Sequence, residues 1–114
     1  MPSTNTSSTA GAVATGDQYR ELIWGIVHSI PAGKVSSYGE IAKRAGLPRG
    51  ARLVGRVLSN LPEGSTLPWH RVVNSRGCIS FPQGSKQYRE QRERLVAEGV
   101  TFRNERIDGR AHFW

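Results

Sequence analysis

Cysteine is nearly absent from this chain of 114 residues: Cys78 is the only one. A single thiol forms no internal disulfide, and no Cys/His cluster has the spacing of a zinc site. His28, His70 and His112 lie too far apart in sequence to form a metal motif. Long apolar runs are missing too. Nothing approaches the roughly 18 consecutive apolar residues that would suggest a membrane span. The first residues lack the basic start and unbroken apolar core of a secretory signal, and the first basic residue is Arg20, too late for a transit peptide. Acidic residues are also scarce, nine against sixteen Lys and Arg.

The basic excess is concentrated. Between Lys34 and Arg76 there are eight basic residues and two acidic ones, Glu40 and Glu63. Clustered positive charge is the footprint of a polyanion partner, although a basic surface can also be inert. Residues 1–16 carry no charge and no periodic apolar face, so they are expected to form a disordered tail. Residues 17–114 are expected to form one domain.

Apolar periodicity predicts four helices. Tyr19, Leu22, Ile23, Ile26, Val27 and Ile30 share one helical face, behind a candidate capping box at Thr15 to Gln18. Trp24 and His28 flank that face, where packing explains them without chemistry. Ser37-Tyr38-Gly39-Glu40 is a stronger capping box and opens a short helix that stops at Gly46. A further helix begins near Ala51 and buries Val54, Val57 and Leu58. The pair reads as a helix-turn-helix. Arg52 and Arg56 share the outward face of its second helix. Gly55 costs that helix about 1 kcal/mol relative to Ala, which suggests close approach by DNA or by another helix. The last helix runs from Lys86 to Glu98 with Tyr88, Gln91, Leu95 and Val96 inward, and Gly99 is a good C′ residue. Arg71 to Val73 reads as a strand, Asn74 to Gly77 as a turn, and Cys78 to Ser80 as a returning strand. A further strand is expected at Val100 to Phe102 and a turn at Ile107 to Arg110. The terminal Phe113-Trp114 is expected to dock on the body.

Several stretches, taken in order, resemble one family. Ile30-Pro31-x-Gly33-x-Val35, Ser37-Tyr38, Ala51-Arg52-x-Val54-Gly55 and Pro68-Trp69-His70-Arg71-Val72 are similar to motifs of the DNA-binding domain of O6-alkylguanine-DNA alkyltransferases. Those enzymes carry Pro-Cys-His-Arg-Val at the last motif, and the Cys accepts the alkyl group. Here Trp69 holds that place, which resembles the alkyltransferase-like proteins, relatives that lack the nucleophile.

The resemblance implies a mostly helical fold with a small β element, a winged-helix-like helix-turn-helix. It also implies roles. Arg52 would enter the base stack from the minor groove, and Tyr38 would crowd the phosphate beside the target nucleotide. Ala51, Gly55 and Arg56 would complete the DNA-facing helix. The guanine would be extruded, since its O6 faces the major groove inside the stack. Tyr38, Trp69 and Arg76 would line the lesion pocket, with Trp69 as a flat wall and one N–H donor. The alternatives are core filling for Trp69 and a solvated turn for Arg76. His70 and Glu98 would be the remaining framework of the enzyme's site. An ungapped count places Leu61 on a supporting Asn of the enzymes, a departure that argues against catalysis, and Cys78 does not match the acceptor position.

The expected function is a non-enzymatic sensor of O6-alkylguanine in double-stranded DNA, needing no cofactor or metal and flagging the lesion for nucleotide excision repair proteins. It would act as a monomer off the membrane, in the cytoplasm at the nucleoid of a bacterium or in the nucleus of a eukaryote. Two other readings stay open here: a residual alkyltransferase or base-processing enzyme using His70 and Glu98, and a helix-turn-helix regulator that reads sequence.

Overall fold

The computed structural model describes residues 16–114. The tail expected at residues 1–16 and the capping residue Thr15 therefore lie outside the described residues, except that Gly16 opens the first helix. Three helices form the N-terminal half: α1 (Gly16–His28), α2 (Tyr38–Arg44) and α3 (Ala51–Ser59). A fourth, α4 (Lys86–Ala97), packs against the turn at Trp69–Arg71. The strands are two residues each: β1 (Ser36–Ser37), β2 (Val72–Val73), β3 (Phe102–Arg103) and β4 (Arg106–Ile107). No helix among the described residues is long and apolar enough to cross a membrane. The architecture is the mostly helical one, with a small β element, that the resemblance implied.

α1 buries Ile23 and Val27 completely, and Ile30 follows just beyond its end. Leu22 is 46% exposed, so the inner stripe is narrower than expected. α2 begins where the Ser37 hydroxyl accepts the Glu40 N–H at 3.0 Å. This satisfies one of the four amide groups that a helix start leaves unpaired. α2 and α3 meet through Ile41, Ala42, Ala45, Val54 and Val57, which share one core with the α1 residues and Val72. Each large aliphatic side chain taken out of water there contributes roughly 1.5–3 kcal/mol.

The turn between α2 and α3 depends on two glycines. Gly46 sits at φ +80, the left-handed region that other residues avoid. Gly50 lies so close to Leu47 that an added Cβ would come within 2.8 Å of the Leu47 Cβ. The Gly50 N–H also donates to the Leu47 carbonyl at 2.8 Å, which closes the turn.

β1 pairs in parallel with β2, Ser36 opposite Val72 and Ser37 opposite Val73. Successive strand residues point to opposite sides. Val72 accordingly joins the helical core, whereas Val73 joins a second cluster with Val35, Leu95, Val100 and Ile107. The short ladder therefore joins the two cores.

Two expectations need correction. Cys78 to Ser80 do not form a strand paired with β2. The Asn74 N–H does reach the Cys78 carbonyl, but the Asn74 side chain takes the N–H groups of Arg76 and Cys78, which ends the pairing after one bond. Val96 is 49% exposed, and only Tyr88, Gln91 and Leu95 line the inner side of α4. A hairpin turn that the sequence reading did not include lies at Asn104 and Glu105, both at positive φ. The terminal segment does dock: the Trp114 N–H donates to the Val35 carbonyl at 2.9 Å, and the Arg44 guanidinium lies 4.0 Å over the Trp114 ring.

Candidate nucleic-acid interface

α3 presents its polar side outward. Val54 and Val57 face the core, and the same helical period leaves Arg52 and Arg56 exposed. Ala51, the first residue of α3, is half-buried. The Tyr38 ring, at the start of α2, lies beside Gly55: a Cβ built on Gly55 would be 4.0 Å from the ring carbons. That is ordinary contact, so nothing in the fold itself forbids a side chain at Gly55. Tyr38, Gly55, Arg52 and Arg56 thus come together around α3.

The signature follows α3 in the chain. Trp69–Arg71 form a 3-10 turn leading into β2. Trp69 is half-buried, with the His70 and Phe81 rings each standing edge-on at 6.2 Å. The Arg94 guanidinium lies 5.6 Å from its ring centroid. Trp69 thus packs against Phe81 and Arg94, two neighbours that no sequence pattern pointed to.

His70 is buried, and its Nε2 lies 2.9 Å from Glu98 Oε2. The structure thus brings together the two residues that the resemblance assigned to one framework. It adds Arg71, which was not expected to take part. Arg71 donates through Nε and Nη2 to the Glu98 carboxylate, at 3.0 and 2.6 Å, and through Nη1 to the Ile30 carbonyl at 2.7 Å. The Gly33 N–H completes the set at 3.1 Å from Glu98 Oε1. From α4, the Gln91 amide donates to the carbonyls of His70 and Val72 at 3.1 and 2.8 Å, which fixes the turn.

The electrostatics follow from these contacts. Burial pushes the Glu98 carboxyl upward. Hydrogen bonds from Arg71, His70 and the Gly33 amide outweigh it and hold the pKa at about 2. Burial lowers the His70 pKa, although Glu98 pulls the other way. With Glu98 ionised, a neutral His70 donates its Nε2–H to the carboxylate. Its buried Nδ1 has no partner among the described residues. A carboxylate held at about 2 and already accepting from three residues is a weak base near neutral pH.

Arg76 is exposed on the turn after β2 and lines a groove of about 560 Å³ with Ser36, Ser37 and Glu40. Tyr38 and Trp69 do not line that groove. Cys78 is a half-buried free thiol whose nearest hydrogen-bond acceptor is the Arg76 carbonyl, 4.0 Å from Sγ. No group of three or more His, Cys, Asp and Glu is placed to hold a metal among the described residues.

Comparison with known proteins gives a consistent answer. Residues 18–100 match the family described as 6-O-methylguanine DNA methyltransferase, DNA binding domain. The chain is 56% identical over 84 residues to the DNA base-flipping protein of Escherichia coli, an alignment covering 74% of this chain and 64% of that protein. It thus spans less than two thirds of that relative. It is 45% identical over 84 residues to Alkyltransferase-like protein 1 of Schizosaccharomyces pombe, covering 78% of that protein. The crystal structure of S. pombe Atl1 with damaged DNA containing O6-carboxymethylguanine superposes with a TM-score of 0.78 at 38% identity, covering 86% of this chain and 95% of that one. Mycobacterium tuberculosis OGT in complex with DNA gives 0.62 at 29% identity, covering 82% of this chain and 52% of that one. The chain belongs to the 6-O-methylguanine DNA methyltransferase DNA-binding-domain family and is an alkyltransferase-like member of it.

Proposed function

We propose that this protein binds O6-alkylguanine in duplex DNA, extrudes the damaged nucleotide and holds it without chemical change. The observation that carries the reading is the state of the signature. Trp69, at the position where the resemblance puts the acceptor Cys, is a half-buried indole packed edge-on against His70, whose cluster with Glu98 and Arg71 is satisfied within itself. An indole N–H is a donor only and takes no alkyl group as a thiolate does. Glu98 is too weak a base to activate another nucleophile there. Tyr38 lies beside α3, and Arg52 and Arg56 are exposed, which supports a DNA-facing role for them. The relative Atl1, seen with O6-carboxymethylguanine DNA, supports the lesion class.

Arg52 fills the space left by the extruded base, Tyr38 presses on the adjacent phosphate, and Ala51, Gly55 and Arg56 contact the backbone. Trp69 and Arg76 border the extruded base. Extrusion costs a few kcal/mol, and less where alkylation has weakened the pair, which favours damaged sites. The protein acts as a monomer where genomic DNA is kept, and the long-lived complex marks the lesion for nucleotide excision repair.

The test compares binding to a duplex carrying one O6-methylguanine with binding to the same duplex carrying guanine, at a stated salt concentration. Tighter binding to the damaged duplex is expected, and equal affinities overturn the proposal. Radiolabelled O6-methylguanine DNA should leave no label on the protein. Replacing Arg76 with Ala should change discrimination among alkyl groups more than general affinity.

A further inference from the structure

Beyond the helix-turn-helix, the last segment of the chain builds a second cationic surface. Arg106 on β4 and Arg110 just after it line the 560 Å³ groove together with Arg76, Ser37 and Glu40. These two arginines lie beyond residues 18–100, the stretch that matches the family. Ser37, which lines the groove, immediately precedes Tyr38 in the chain, and Glu40 of α2 lines it too.

The hairpin is held in place rather than hanging free. The Ile107 N–H donates to the Gly77 carbonyl at 2.9 Å, and Ile107 is buried in the second core. Gly77 backs onto the hairpin so closely that an added Cβ would be 3.6 Å from the Arg106 Cγ. At the hairpin tip, Glu105 is gripped by Arg92 at 3.1 Å and by the Tyr88 hydroxyl. The turn carrying Arg76 and the strand carrying Arg106 are thus fastened to each other.

The charge in the groove points outward. Glu40 is its acidic member, and Arg44 lies 3.5 Å from that carboxylate. Arg76, Arg106 and Arg110 have no carboxylate within ion-pair distance among the described residues. Along one open groove, Arg106 and Arg110, both unpaired among the described residues, suit successive phosphates better than a single carboxylate.

We propose that Arg106 and Arg110 form a phosphate track for the DNA backbone next to the nucleotide that Tyr38 displaces, and that this track adds affinity without reading the lesion. The inference rests on the proposed function only in taking Tyr38 and α3 as the DNA-facing side.

The experiment measures the slope of log Kd against log potassium chloride for the wild type, R106Q/R110Q and R106K/R110K, on O6-methylguanine and undamaged duplexes. Glutamine retains part of the stem that packs on Gly77, and thermal melting checks that each variant folds. Each lost phosphate contact should flatten the slope by about 0.9, so the glutamine pair should lose about 1.8 on both duplexes. The lysine pair should keep the wild-type slope, and the ratio of damaged to undamaged affinity should stay within about twofold in all three. An unchanged slope for R106Q/R110Q overturns the proposal, as does a loss confined to damaged DNA, which would place the arginines at the lesion. Should the lysine pair lose as much as the glutamine pair, the groove is structural and the track is wrong. If the wild type shows no lesion preference, lesion recognition fails while the slopes still judge the track. If it binds neither duplex, both fall.

Discussion

The charged residues around the signature and those on the outer face of α3 are of similar kinds, yet they are used in opposite ways. At the signature, Arg71, His70 and the Gly33 amide all donate to Glu98, with no polar group of that carboxylate left to an outside ligand. On α3, Arg52 and Arg56 stand in solvent with no acidic neighbour within ion-pair distance among the described residues. An ion pair withdrawn from water holds up a fold, because removing one member strands the other's charge. Exposed cations hold nothing up and are free to meet a polyanion. The contrast divides the molecule into a frame of mutually satisfied groups and an exposed cationic face suited to a polyanion.

The strongest way to break the contrast is to empty the frame. Replacing Glu98 with Ala leaves the half-buried Arg71 and the buried His70 without their partner and should destabilise the protein by about 3 kcal/mol or more. Urea unfolding measures this, and a change below about 1 kcal/mol would mean that the cluster supports nothing. Acid should act on the same frame almost as strongly. The Glu98 pKa falls from an ordinary 4.5 to about 2 on folding, so its contribution is fully present above 4.5 and is lost as pH falls from 4.5 towards 2. The loss is on the order of 3 kcal/mol. His70, lowered by burial, adds to it in the same direction below its ordinary 6.5, since the unfolded chain then binds the extra proton. Melting curves between pH 7 and 2.5 should steepen their decline below 4.5, and in the Glu98→Ala variant that step should vanish.

The outer face should behave the other way. Arg52→Ala should leave stability within about 0.5 kcal/mol of the wild type. It should weaken binding to a duplex carrying O6-methylguanine by roughly 1–3 kcal/mol, the scale of the unstacking it helps to offset, and weaken binding to an already extruded site less. A melting temperature that drops with affinity would place Arg52 in the frame. The smallest effect sharpens the division at one atom. Gly55→Ala meets nothing nearer than the Tyr38 ring at 4.0 Å, so it should stabilise α3 by up to about 1 kcal/mol. The same methyl group should weaken DNA binding if the backbone passes close to α3. Greater stability with unchanged affinity would show that DNA keeps its distance there.

Much of this division was legible in the sequence. The Ser37 cap, the buried period of Val54 and Val57, and the opposite placement of Arg52 and Arg56 are local patterns, set by helical geometry within a few residues. The docking of Phe113-Trp114 was legible from composition alone. Other features were hidden because they depend on distant partners. Arg71 lies 27 residues from Glu98, and nothing in the signature distinguishes a guanidinium that reaches solvent from one that turns inward. Phe81 read as loop, since its packing on Trp69 needs the fold to bring them together. The hairpin at Asn104-Glu105 was hidden because it lacks the Gly that normally marks two successive positive φ values, and contacts from α4 hold Glu105 there instead.

The sequence by itself determined which segments become helices, where the helix-turn-helix bends, and that the signature carries an indole rather than a thiol. These follow from side-chain period, capping and residue chemistry, all of which act locally. Only the tertiary structure decided that Ser36 and Ser37 pair with Val72 and Val73, that Glu98 is saturated by its neighbours, and that Arg106 and Arg110 extend the basic surface next to Ser37. Those outcomes rest on contacts between residues far apart in the chain, whose energies appear only once two packed cores hold them in reach.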